Sequence, residues 1–333
     1  MNELLSITFF NLDNNFYNLT ESVLAMKIVF KPYSHNPDFL RIRDFLQETY
    51  VVEGDLINWT LERWNYAAYF IRNMFELSMD EWSKTIGIWE TEDGEIVSLI
   101  LNEAVGRGET FFQVNPKYLN MIPYREMFEF AEEKLIAEID GKFLLRPRIS
   151  EGDSVLEKIA EERGYIKRED VKETTSSIKL DKDFSYPELL EDYKIMTMAE
   201  DNDIIKRTKA FARAFGNWGT ENEVQPSSYE SLQKSPDYRK ELDVYVVAPD
   251  NEIVSFCLVW FDDKNKIGIL EPVGTDPDHR RKGLAKASNY EAIKRVKEMG
   301  AEKIFVGDGQ QFYLSIGFQH HQYNNIWERK FEK

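Results

Sequence analysis

Hydrophobic and polar positions follow one order twice along this chain. In each half a short apolar strand precedes an amphipathic helix: Ile28–Phe30 then Asp38–Thr49, and Tyr193–Met198 then Asp203–Phe215. A hairpin follows, with strand-like runs at Thr85–Trp89 and Ile96–Leu101 around Asp93-Gly94, and at Val244–Val247 and Ile253–Trp260 around Asp250-Asn251. The tetrapeptide Glu95-Ile96-Val97-Ser98 recurs as Glu252-Ile253-Val254-Ser255. Each half continues with a strand that ends at Asn115-Pro116 or Asp276-Pro277. A helix comes next (Arg125–Ile139, Leu284–Met299), then a short helix closed by glycine and an aromatic residue (Gly164-Tyr165, Gly317-Phe318). The pattern predicts an α/β (α+β) protein of two tandem copies of one unit, each with a mixed, mostly antiparallel sheet flanked by helices. The boundary is expected at Leu180–Tyr186, before Pro187, giving units over 26–182 and 188–333. Met26 to Phe30 reads like a chain start on a first strand, so 1–25 are expected to be an extension.

Candidate chemistry concentrates in Ile267–Val306. The strand Ile267–Leu270 exits at Asp276-Pro277, Arg280-Arg281-Lys282-Gly283-Leu284-Ala285 forms a basic turn, and a helix runs to Gly300 before the strand Lys303–Val306. A helix N-terminus behind a small-residue turn offers free backbone N–H groups and the positive end of the helix dipole, which suits an anion such as a pyrophosphate.

This segment resembles the acyl-CoA-binding signature of the GNAT superfamily of N-acetyltransferases: Arg or Gln, two residues, Gly, one residue, then Gly or Ala. Phe312-Tyr313-Leu314-Ser315-Ile316-Gly317-Phe318 resembles the family's second motif, with a tyrosine four residues before Gly-aromatic. The resemblance implies that acetyl-CoA pairs its thioester end with the backbone of Val273, Gly274 and Thr275. It also implies that Arg280, Arg281, Lys282, Gly283, Leu284, Ala285 and Lys286 hold the phosphates, and that Tyr313 protonates the departing thiolate. An amine acceptor is mostly protonated at neutral pH and needs a base; Glu271, three apolar residues into the strand, is the candidate, with burial raising its pKa. His279 is expected at the surface, and His320 and His321 in an exposed turn of the last hairpin, with a metal-binding pair as the other reading.

In the first half Leu119 stands at the place of Arg280, Asn120-Met121-Ile122-Pro123 at that of the glycine turn, and Ala160 at that of Tyr313. The first unit therefore reads as a degenerate copy without a cofactor site, a layout similar to mycothiol synthase. The aromatic stretch Trp59–Phe75 has the helical spacing of a core face, with an acceptor pocket or domain interface as the other reading. Phe215–Thr220 and the polar run to Pro236 are the expected specificity region.

Composition narrows the partners. With 59 acidic against 42 basic side chains, net charge −17, the chain is a poor ligand for nucleic acid or anionic membrane. One cysteine and four histidines exclude a zinc cluster or disulfide framework, fit a cytoplasmic setting and imply no metal. The expected activity is acetyl transfer from acetyl-CoA to a primary amine of a small molecule or peptide by a monomer or homodimer. The alternative is a non-catalytic acyl-CoA sensor or interaction module.

Overall fold

The computed structural model describes residues 27–52, 54–181 and 188–332. The expected extension and the expected hinge from 182 to 187 lie outside the described residues. The first half contributes β1 (Ile28–Pro32), β2 (Gly87–Thr91), β3 (Ile96–Leu101), β4 (Glu109–Val114), β5 (Lys142–Ser150) and β6 (Ile166–Lys179). The second contributes β7 (Lys194–Thr197), β8 (Asp243–Val247), β9 (Ile253–Asp262), β10 (Ile267–Thr275), β11 (Lys303–Val306) and β12 (Gln319–Phe331). All twelve join one sheet in the order β1-β2-β3-β4-β5-β12-β6-β11-β10-β9-β8-β7, which reads alike from both ends when the halves are superposed. Among the described residues only β4 with β5 and β10 with β11 run parallel.

Backbone hydrogen bonds repeat in step with the sequence. Thr91 N donates to Glu95 O and Ala248 N to Glu252 O, each at 2.9 Å; Asn115 N to Val97 O and Asp276 N to Val254 O match in the same way. The tetrapeptide repeat therefore marks a real structural repeat.

The centre of the sheet was not foreseen. Strand β12 pairs with β5 of the first half through Asn324↔Ser150 to Phe331↔Phe143, and β6 pairs with β11 of the second half through Lys303↔Lys179 to Val306↔Ser176. Each half thus hands its last strand to the other, and β6 and β12 pair between them. Strands paired on both edges leave no open ladder there. Expressed alone, either half exposes the edge of its fifth strand, so separate halves are expected to aggregate, and co-expression to restore one cooperative thermal transition measured by circular dichroism.

Three local expectations are corrected. The helix expected over Arg125–Ile139 ends at Lys134, and Ala137–Ile139 forms a short strand against β5, where its backbone finds a ladder partner. His320 and His321 lie within β12 beside an irregular pairing, not in a turn. The aromatic stretch takes both of its readings. Trp64 packs in a first-half core with Phe39 and Trp82, whereas Tyr66 and Phe70 enter a core with Phe211, Tyr229 and Phe256 of the second half. Buried aromatic area of this kind fixes one half against the other. Polar ties reinforce it: Arg43 meets Asp237 at 2.6 Å and Gln47 donates to Asp262 at 2.9 Å.

Candidate active site

The site starts where β10 and β11 part. Their parallel pairing runs from Ile267↔Lys303 to Ile269↔Phe305 and stops, while β10 continues to Thr275. The partner strand β9 loses register between Cys257 and Val259, opposite Glu271 and Pro272. Pro272 has no N–H to donate, so this irregularity is where it fits a central strand. The Trp260 indole donates to the Glu271 carbonyl at 2.7 Å and fixes the backbone there.

The opening holds a cleft of about 680 Å³ lined by Glu271, Val273, Gly274, Thr275, Arg280, Arg281, Gly283, Leu284, Ala285, Lys286 and Tyr313. Eleven of the twelve residues expected to form the site therefore meet in one cavity. Lys282 lies beside it, its ammonium 3.4 Å from the Tyr193 hydroxyl, and that hydroxyl is 3.2 Å from His279 Nδ1. Gly283 caps the helix Leu284–Glu298 with φ 78° and no side-chain cap, so the first-turn amides are not taken by a capping side chain. Arg281 is also left-handed, at φ 61°, and its side chain is exposed. Arg280, also exposed, donates from its guanidinium to the carbonyls of Thr275 at 3.2 Å and Ala214 at 3.0 Å, tying the turn to β10 and the helix Ile204–Ala214. A Cβ on Gly274 would collide with the Phe256 ring and Ala214, so glycine keeps the strand close to its neighbours.

Tyr313 sits on the short helix Gln311–Ser315, 7 % exposed, edge-on to Phe312 and Phe318. Burial, reinforced by Cys257 and Glu271, pushes its phenol well above the ordinary range, so it keeps its proton. The first half has the same backbone closure without the phenol. Phe318 N donates to Tyr313 O at 3.1 Å, and Tyr165 N to Ala160 O at 2.9 Å. Where the second half has its glycine turn, the first has a 3-10 turn, Pro116–Met121, with Leu119 and Met121 exposed.

A second cavity, about 520 Å³, lies between the halves. Glu271, Val306, Gly307 and Asp308 line both cavities, so Glu271 stands at their junction. Burial and the negative fields of Glu103 and Glu62, opposed by Arg63, push its carboxyl up to about 8. The first half supplies much of the second cavity, including Trp59, Glu62, Arg63, Tyr66 and Glu103. Of the expected specificity region only Phe215 reaches a cavity, the cleft; Tyr229 is core. Sequence reasoning did not single out Glu62, although a signal exists: an acidic residue one turn before Tyr66 on the short helix that also carries Trp64.

Residues 209–318 match the acetyltransferase (GNAT) family. The chain carries a GNAT acetyltransferase domain. Its fold matches a GCN5-related N-acetyltransferase from Sphaerobacter thermophilus, at 17 % identity and TM-score 0.60 over 91 % of this chain and 95 % of that one. It also matches a tandem GNAT protein from the clavulanic acid biosynthesis pathway, at 12 % identity and TM-score 0.58 over 91 % and 98 %. No curated protein matches the chain by sequence. The GNAT segment begins inside the helix Ile204–Ala214 and ends at Phe318, enclosing β8 to β11 and both motifs. The chain thus contains a GNAT-type acetyltransferase domain, and its fold is shared by a tandem GNAT protein.

Proposed function

We propose that the second half transfers an acetyl group from acetyl-CoA to a primary amine held in the cavity between the halves, with Glu271 as base and Tyr313 as acid. The observation that carries this reading is the position of Glu271, which with Asp308 makes up the ionisable side chains that line both cavities among the described residues. The uncapped helix start at Gly283, flanked by Arg281, Lys282 and Lys286, suits a pyrophosphate, and the stretch of β10 from Val273 to Thr275, beyond its pairing with β11, suits the thioester end.

Acetyl-CoA supplies the activated acyl carbon. Glu271, ionised above about pH 8, takes a proton from the acceptor ammonium directly or through water, and the free amine attacks the carbonyl. A backbone N–H of the Val273 region stabilises the oxyanion. Collapse breaks the carbon–sulfur bond, the Tyr313 proton passes to the leaving thiolate, and the second proton of the attacking nitrogen leaves to solvent, from which Tyr313 is reprotonated. A phenol kept protonated by burial, at a helix turn on the cleft wall, has its proton available for that donation, while the same burial makes it a weaker acid than a solvated phenol.

The deciding experiment combines a thermal-shift titration with acetyl-CoA and thiol detection over a panel of primary amines. A stabilising shift with amine-dependent thiol release is expected. A shift without release for any amine supports the sensor instead, and no shift removes both. For the cradle itself, Gly283→Val forces a β-branched residue into the left-handed region, which costs about 1–2 kcal/mol. Acetyl-CoA affinity is expected to fall about 10-fold by calorimetry, because strain is relieved by moving the turn that positions the amides.

A further inference from the structure

The first half has lost the phosphate turn and the tyrosine, yet it walls the cavity that faces Glu271. Glu62, on the first-half helix Leu61–Tyr66, is 7 % exposed and lines that cavity. Its Oε1 accepts from the Thr60 hydroxyl at 2.7 Å, while Oε2 is buried with no hydrogen-bond partner among the described residues. A buried carboxylate oxygen without a donor is costly unless a ligand provides one.

The basic groups around it are engaged elsewhere. Arg63 pairs with Glu103 at 3.1 Å and stacks over Phe111 at 4.2 Å; Arg148 pairs with Glu173 at 2.8 Å; Lys172 lies 3.3 Å from the Tyr323 ring centroid. Those pairs also satisfy Glu103 and Glu173. The cavity is left presenting three carboxylates without a cationic partner among the described residues: Glu271 and Asp308 at the cleft end, where Asp308 already accepts from Gln310, and Glu62 on the first-half wall. Each raises the cost of ionising the others unless positive charge enters among them. Burial pushes the Glu62 carboxyl up to about 7, against the Thr60 hydroxyl, the charge of Arg63 and the backbone N–H groups of Glu62 and Arg63.

We propose that Glu62 is a specificity-determining residue that binds a second ammonium group of the acceptor, so that the preferred substrate is a diamine whose reacting nitrogen lies at Glu271. The proposal rests on the reading of the cavity as the acceptor site. It gives the first half a role, in which the copy that lost its cofactor site holds the substrate for the other. A hydroxyl at the same place would satisfy Oε2 but leave the charge uncompensated, so an amino alcohol is the sharpest control.

Calorimetric titration at pH 8, with coenzyme A present, compares α,ω-diaminoalkanes from propane to hexane with the matched 1-aminoalkanes and amino alcohols. A diamine is expected to bind at least about 30-fold more tightly than its matched monoamine, since removing one partner of a buried charge pair costs about 2 kcal/mol or more. Glu62→Gln is expected to bring that ratio to within about 3-fold, and Glu62→Asp, which keeps the charge, to retain part of it. Thermal melting and acetyl-CoA binding of both variants check that the fold and cleft are intact. Equal binding of monoamine and diamine by the wild type, or a preference that survives Glu62→Gln, overturns the assignment. Turnover separates it from the transfer reading: a chain that binds diamines through Glu62 and releases no thiol keeps this inference and loses the catalytic one.

Discussion

Glu271→Gln is expected to lower kcat/KM for amine acetylation by about 10²–10³-fold near pH 8, while acetyl-CoA still binds. The amide keeps the shape of the side chain at the junction of the two cavities and removes only its ability to take a proton. In the wild type kcat/KM is expected to rise with pH through about 8, because a base at Glu271 must be ionised and burial with Glu103 and Glu62 holds its proton until then. The variant loses that rising limb. Arg63 and Asp308 face the same carboxyl with opposite signs, so neutralising Arg63 moves the limb to higher pH and neutralising Asp308 to lower pH.

The same carboxyl leaves a mark on stability. Its folded-state pKa lies above the ordinary carboxyl value near 4.3, so across the window from about 4 to about 8 the native chain holds a proton that the unfolded chain has released. Stability contributed by that proton is present below the window and is lost as pH rises through it. Glu271→Gln is neutral throughout, so its melting temperature is expected to exceed that of the wild type by about 5 °C at pH 8.5 and to converge with it at about pH 4. A variant that gains nothing at high pH shows that the carboxyl is solvated, and with it the argument for a tuned base fails.

Tyr313→Phe is the second large effect. The hydroxyl is removed from a side chain held edge-on between Phe312 and Phe318, so the ring packing survives and the fold is expected to hold. Thiol release is expected to fall by about 10–10²-fold, with acetyl-CoA affinity within about 2-fold of the wild type. The loss belongs in kcat, since the proton is needed only as the carbon–sulfur bond breaks. It is also expected to shrink for an acyl donor with a more acidic thiol leaving group, which departs without help. Undiminished release by Tyr313→Phe removes the acid role. The inverse substitution, Ala160→Tyr in the first half, restores a phenol at the equivalent backbone position and creates no activity there, because the glycine turn is absent.

Much of this was legible in the residues. The order of apolar periods, the Asp-Gly and Asp-Asn turns and the two proline exits depend on local backbone preference, and the matching Ala248–Glu252 and Thr91–Glu95 hydrogen bonds follow them. The cleft was legible as well: the run Arg281 to Lys286 reads as a small-residue turn that opens a helix, and Gly283 caps that helix at positive φ. The exit of β10 was legible at Asp276-Pro277, and the strand ends at Thr275.

Which strand sits beside which could not be read in the same way. Local pattern gives a strand its faces and leaves its edges open, and the exchange of β6 and β12 between halves is an edge decision made by the whole sheet. The second cavity exists only because of that exchange and of the packing of Tyr66 and Phe70 on the second half. Glu62 and Glu271 stand 209 residues apart in number, and no periodicity joins them. Two copies of one unit, and a basic glycine turn in the second copy alone, are written in short-range backbone chemistry and can be read from the residues in order. That the copy without such a turn faces the other's candidate base emerges only from the folded chain, because burial and charge at Glu271 are sums over groups brought in from afar.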